Sequence, residues 1–246
     1  MAIYQVGCSG FHYREWKEIF YPKGTPQKKW FAYYTKHFDT LELNVTFYRF
    51  PKKEFLQTWY DAAPHGFCFS VKAPRLITHY KQLRATESML ADFYGTVRET
   101  LHEKMGCILF QFPSKISYNP ALLERILTSL DPSFRNVVEF RHQSWWQQPV
   151  YDQLATKGII FSGISHPALP DQPIHNTPLL YYRFHGVPDL YSSQYKRKTI
   201  ERIINQIEAM PSLRKAYIYF NNTAGIGAIR NALYIMRYIR QTEAKL

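Results

Sequence analysis

Eight short runs of apolar, β-branched and aromatic residues recur along the 246 residues and constrain the fold more than any other feature. They are Ile3–Gly7, Thr40–Asn44, Phe67–Lys72, Gly106–Phe112, Asn136–Arg141, Gly158–Ser162, Leu179–His185 and Ala216–Asn222. Each reads as a buried strand, and helix-like segments lie between most of them. Strand followed by helix, repeated about eight times over this length, predicts an α/β fold built as a single (β/α)8 TIM-like barrel. Such a barrel gathers its functional side chains at the C-terminal ends of the strands. At least six of the runs stop on a polar or charged residue, so the location of the chemistry is legible before its nature.

The intervening segments support the alternation. Trp30, Phe31, Tyr34 and Phe38 recur at helical steps in a segment from about Gln27 to His37. Phe55, Leu56 and Trp59 mark a short helix, and Met89, Phe93, Val97 and Leu101 a longer one. Asn119-Pro120 is a capped helix start, with Leu123, Ile126, Leu127 and Leu130 on its inner face. Gly158 closes the helix before the sixth run. Between runs six and seven, Ser165 to Pro178 carries four prolines, so an irregular segment replaces the crossover helix there. Ile200, Ile203, Ile204, Ile207 and Met210 restore the helical spacing, and Ala224 to about Arg240 forms the last helix. With no linker or low-complexity stretch, residues 1–246 read as one domain.

No run approaches the roughly 20 apolar residues of a membrane span, and the start of the chain enters a strand rather than a signal peptide, so a cytoplasmic protein without a membrane partner is expected. Cys8, Cys68 and Cys107 are odd in number and widely spaced, which argues against a disulfide framework or zinc clip. The net charge of +12 favours an acidic partner, either an anionic small molecule or nucleic acid. The aromatic content of 17% offers rings such as Tyr13, Tyr48 and Tyr191 for base stacking, although barrels also use aromatics as filler.

Residues two apart on a strand share a face, so Glu42 with Asn44, Glu139 with Arg141, and Arg183 with His185 each place two polar groups together. Lys72 and Gln111 add single groups at the ends of runs three and four. Charge at the end of an apolar strand is costly to bury unless it is paired or wet, which points to a polar mouth. Asn222 and the small residues through Gly225 open the last helix, where amides and the helix dipole suit an anion. Ser9 lies in the Gly7–Gly10 loop, whose glycines suit close approach by a bound molecule. The candidate catalytic residues are therefore Glu42, Glu139 and His185, and the candidate substrate contacts are Ser9, Asn44, Lys72, Gln111, Arg141, Arg183, Asn222 and Gly225. His12, His79, His142 and His185 show no metal-binding spacing; no metal site is assigned, the cofactor is left open, and a divalent metal is compatible with these residues but not indicated by them.

Several motifs, in order, resemble the YecE-like proteins, domain of unknown function 72. They are Gly7-Cys8-Ser9-Gly10-Phe11-His12-Tyr13 with Trp16, Glu42-Leu43-Asn44-Val45-Thr46-Phe47-Tyr48, and Phe69-Ser70-Val71-Lys72 with Thr78-His79. They continue with Leu109-Phe110-Gln111-Phe112-Pro113, Val138-Glu139-Phe140-Arg141-His142 with Ser144-Trp145, Tyr182-Arg183-Phe184-His185-Gly186 and Tyr219-Phe220-Asn221-Asn222. The resemblance spans nearly the whole chain and implies a TIM barrel without implying an activity. Relative to the family's usual pattern, Phe11 stands for tryptophan, Gly163 to Ser165 lacks an acidic residue, and Thr223 replaces histidine or aspartate. The last two departures remove metal ligands or proton donors.

Together these features predict a hydrolase-like enzyme acting on a phosphate-bearing or other anionic substrate at the barrel mouth. Glu42 or Glu139 would serve as base, and Lys72, Arg141 and Arg183 as electrostatic clamp. Two alternatives are a nucleic-acid-binding protein without chemistry and a glycosidase-like enzyme using Glu42 and Glu139 as a carboxylate pair.

Overall fold

Among the described residues there are nine strands, because a short extra one, Gly163–Ser165, follows directly on the sixth run. A computed structural model describes residues 2–243 of the chain. Its strands are β1 (Ile3–Cys8), β2 (Thr40–Leu43), β3 (Cys68–Lys72), β4 (Met105–Phe112), β5 (Arg135–Phe140), β6 (Ile160–Phe161), β7 (Gly163–Ser165), β8 (Leu179–Phe184) and β9 (Lys215–Phe220). The helices are α1 (Trp30–Tyr34), α2 (Val45–Tyr48), α3 (Lys53–Ala62), α4 (Glu87–Leu101), α5 (Pro120–Ser129), α6 (Gln148–Ala155), α7 (Arg197–Glu208) and α8 (Gly227–Glu243).

Hydrogen bonding orders these strands in two sheets, β2-β3-β4-β5-β6 and β1-β9-β8-β7, with parallel registers along β3-β4-β5-β6 and along β1-β9-β8-β7. The predicted α/β alternation with parallel pairing is present, and the strands of the described residues are hydrogen-bonded in two sheets, of five and four. The break has a local cause. Ser162 still donates its amide to the Val138 carbonyl of β5, at 2.8 Å, whereas Gly163 begins the pairing with β8. A Cβ at Gly163 would lie 2.8 Å from the Gln172 carbonyl, from Pro173 and from the Tyr182 ring, so glycine lets the proline-rich segment close over the strand at the switch. That segment is irregular, as its four prolines predict, and Gln172 forms an isolated bridge with Ile164.

Contacts gather in two compact units, Glu42–Ser162, and Met1–Leu41 with Gly163–Leu246. In Glu42–Ser162, α3 packs on α4, α4 on β4, and α5 on α6. Leu56, Phe93, Val97, Ile126, Val150 and Leu154 are fully or almost fully buried there. Asn119 caps α5 as expected, its side-chain oxygen accepting the Ala121 and Leu122 amides at 2.9 and 3.2 Å.

In the other unit, α7 buries Ile200, Ile203, Ile204 and Ile207, one apolar stripe at helical spacing. At roughly 1.5–3 kcal/mol for each buried isoleucine, the stripe contributes about 6–12 kcal/mol as an upper bound. Phe184 and Phe220, register partners on β8 and β9, stack at 4.5 Å. The expected helix from Gln27 to His37 is shorter, a single 3-10 turn (Gln27–Lys29) leading into α1. Gly7 supports close approach of a different kind from that expected. A Cβ there would lie 2.3 Å from the Thr40 carbonyl, so what comes close is the protein's own backbone. No helix among the described residues is long and apolar enough to cross a membrane.

Candidate functional site

The polar strand ends form one group in each unit. In Glu42–Ser162, Thr46 at the start of α2 donates its hydroxyl to the Lys72 carbonyl at 2.6 Å and contacts the Leu43 carbonyl at 3.1 Å. This hydroxyl ties the end of β2 to the end of β3. Glu42 is fully buried just before that junction, and Asn44 immediately precedes α2. Lys72 is nearly buried, with its ammonium 4.0 Å from the centroid of the Phe47 ring. An ammonium over an aromatic face is partly compensated for lost water, which helps a lysine persist at an apolar strand end.

Along β4 and β5 the register sets Gln111 beside Glu139. Arg141 donates from Nε to Glu139 Oε1 at 2.5 Å, and the two side chains are 8% and 0% exposed. Glu139 is thus committed to an ion pair, which fixes the Arg141 guanidinium at the end of β5.

The residue that completes this group is His79, which sequence reasoning weighed only as a metal ligand. It lies on a single wide turn, Leu76–Tyr80, after β3. Its Nδ1 is 2.9 Å from the Thr78 hydroxyl and its Nε2 is 3.4 Å from Gln111 Nε2. An amide nitrogen can only donate, so Nε2 accepts and the ring proton sits on Nδ1, facing Thr78. The Phe47 ring meets His79 edge-on at 5.0 Å. Burial, followed by the charges of Lys72, Lys115, Arg141 and Arg75, depresses its pKa to about 4. A neutral imidazole is therefore held amid four cations. His142, by contrast, accepts the Ser144 amide and caps the turn Gln143–Trp145, a structural role.

In the other unit, Arg183 is fully buried, with Nη1 3.4 Å from His185 Nε2 and Nη2 3.5 Å from the Ser9 hydroxyl. Asn221 Nδ2 lies 3.0 Å from His185 Nδ1. Arginine only donates, so Nε2 of a neutral His185 accepts; the proton is then on Nδ1, which asks Asn221 to present its amide oxygen. Ser9, Arg183 and His185 thus lie together. Asn222 is not part of this contact: its amide nitrogen bonds the Ser193 carbonyl at 2.9 Å and Asn231 Oδ1 at 3.2 Å, holding a loop to α8. Asn221 takes the place beside His185, and strand alternation could have found it, because Arg183 is the register partner of Tyr219. Gly225 accepts the Trp16 indole N–H on its carbonyl at 3.0 Å, and the neighbouring Ala224 amide bonds Tyr191, just before α8 begins at Gly227.

Cys8 is buried, and burial pushes its thiol pKa well up, which removes it as a nucleophile at neutral pH. Among the described residues no group of three or more His, Cys, Asp and Glu side chains is arranged to hold a metal ion.

A family profile described as "Protein of unknown function DUF72" matches residues 5–246. UPF0759 protein YunF of Bacillus subtilis (strain 168) is 25% identical over 95% of this chain and 94% of its own length. UPF0759 protein YecE of Escherichia coli (strain K12) is 28% identical over 145 residues, 58% of this chain, and the match spans only about half, 52%, of that relative's length. Among solved structures, a DUF72 family protein from Thermotoga maritima MSB8 superposes with a TM-score of 0.88 at 26% identity, over 97% of this chain and 99% of that one. D-psicose 3-epimerase with D-tagatose from Clostridium cellulolyticum H10 gives a TM-score of 0.56 at 10% identity, over 96% of this chain and 98% of that one. The last likeness is one of TIM-barrel-like fold alone.

Proposed function

The chain belongs to the DUF72 family, and from that premise we propose that this member is a hydrolase-like enzyme acting on a phosphate-bearing or otherwise anionic substrate at the C-terminal ends of β3, β4 and β5. The observation that supports this most is His79, neutral and half-buried in the field of Lys72, Lys115, Arg141 and Arg75. Cations near one imidazole repel one another and disfavour its protonation, and an incoming phosphate relieves both. The same anion raises the His79 pKa from about 4 towards working pH, so the substrate itself brings the ring into the range useful for proton transfer. Lys72 and Arg141 clamp the anion, and Gln111 orients the His79 ring. Glu139 positions Arg141, which counts against both its use as a base and the carboxylate-pair reading. Glu42 is the carboxylate candidate that remains for the base role.

Calorimetric titration with inorganic phosphate tests the clamp. Phosphate should bind the wild type, and Lys72→Ala should weaken it at least about tenfold, the scale of one hydrogen bond to a charged group. Arg183→Ala puts the same question to the Ser9–Arg183–His185 group. Turnover of a phosphomonoester and phosphodiester panel by His79→Gln and Glu42→Gln assigns the proton-transfer role: activity lost with phosphate binding retained marks the residue that carries it. A wild type that ignores phosphate, or a Lys72→Ala protein that binds it equally well, would refute the proposal. The second reading, nucleic-acid binding without chemistry, draws on exposed aromatics beside the same cations.

A further inference from the structure

We infer that the molecule bound at the His79 group is a nucleotide unit, its base stacked on an exposed platform formed by Tyr48, Arg75 and Tyr80. The inference rests on the anionic-substrate reading and adds an aromatic end to that substrate. Tyr48 and Tyr80 are 64% and 65% exposed, in a protein whose tyrosines on β8 and β9 are buried. The Arg75 guanidinium lies 5.6 Å from the Tyr48 centroid and 5.8 Å from the Tyr80 centroid, so one planar cation serves both rings. Two phenol rings and a guanidinium offer flat faces on which any base can stack.

The platform adjoins the cations. Arg75 is one of the four charges that depress His79, and Tyr80 follows His79 in the chain. Phe47 connects the two halves: its ring is 5.1 Å from Tyr48 on one side and 5.0 Å from His79 on the other, with the Lys72 ammonium 4.0 Å from its centroid. Stacking faces at one end and phosphate-binding cations at the other match a base joined through a sugar to phosphate. Residues that flank Tyr48 in the chain, among them Arg49, Phe50, Lys52 and Phe55, line an opening of about 320 Å³ that offers both rings and cations to further nucleotides of a single strand.

The ligand is tested with fluorescently labelled oligothymidylate and an abasic phosphodiester of equal length, read by anisotropy against wild type, Tyr48→Ala, Tyr80→Ala and Tyr48→Phe. Both rings are exposed, so these changes leave the core alone. The wild type should prefer the base-bearing strand. Each alanine variant should lose about 5- to 150-fold on that strand, the range for one stacked base, while binding of the abasic strand and of inorganic phosphate is unchanged and Tyr48→Phe restores affinity. Competition by thymidine monophosphate to completion identifies a free nucleotide; weak competition identifies a strand. Equal wild-type binding of the base-bearing and abasic strands, or alanine variants that weaken both alike, overturns the stacking platform and leaves the phosphate clamp standing. Tyrosine-dependent binding of the base-bearing strand without any binding of phosphate keeps the platform and removes the hydrolase reading.

Discussion

Arg141→Ala gives the sharpest test of how the cationic group is built. Arg141 and Glu139 are bonded at 2.5 Å with side chains 8% and 0% exposed, so removing the guanidinium takes a charged partner from a carboxylate deep in the protein. Two unit charges about 4 Å apart attract by about 4 kcal/mol at an effective dielectric near 20, and losing one partner of a buried pair typically costs about 3–5 kcal/mol. For a chain of this length each kcal/mol moves the melting temperature by about 2–4 °C, so a fall of about 6–20 °C is expected at pH 7. Circular dichroism melts and urea titrations measure it. The double variant Glu139→Gln/Arg141→Met should recover most of the loss, since it replaces both members of the buried pair. A change below about 1 kcal/mol in Arg141→Ala would show that Glu139 is not held by this pair. Its assignment as a positioning residue would then fall, and the base role expected from sequence would reopen.

His79 should titrate near 4 by NMR in the phosphate-free protein and move upward when phosphate is added; a value near 6.5 without phosphate would contradict the crowded cations. Because the unfolded chain takes up this proton near 6.5 and the folded chain only near 4, stability contributed by this group should fall as pH drops through that window and be constant above it, a dependence that His79→Gln should erase in urea titrations. Gly7→Ala places a methyl 2.3 Å from the Thr40 carbonyl and should destabilise by about 1–3 kcal/mol in the same assay; a neutral result would mean that β1 and Thr40 can separate without loss.

The strand positions were legible because parallel strands are apolar on both faces, and that composition survives in a single sequence. Asn119-Pro120 and the four prolines from Pro167 to Pro178 were legible for the same reason: each acts within a few residues of itself. The extra strand after the sixth run was not, because the sequence around Ser162 and Gly163 looks the same whichever neighbour its amides bond. The character of His79 was not legible because it comes first from burial in the fold and then from the charges of Lys72, Lys115, Arg141 and Arg75, of which Lys115 and Arg141 are remote in sequence. Asn222 stands out in the sequence as the end of the last strand-like run, whereas the register of β8 with β9 brings Asn221 beside His185.

The sheet order also sets a timetable for synthesis. Among the described residues β1 has β9 as its neighbour in the sheet, and β9 ends at Phe220, so 212 residues separate the completion of β1 at Cys8 from that of its partner. At about 5–20 residues per second, the first strand emerges from the ribosome some 10–40 s before it can pair. The stretch Glu42–Ser162 is continuous and can consolidate meanwhile. For that interval Ile3–Cys8 is an unclaimed strand edge on a nascent polypeptide, the period in which chaperone capture or misassociation would act on this protein.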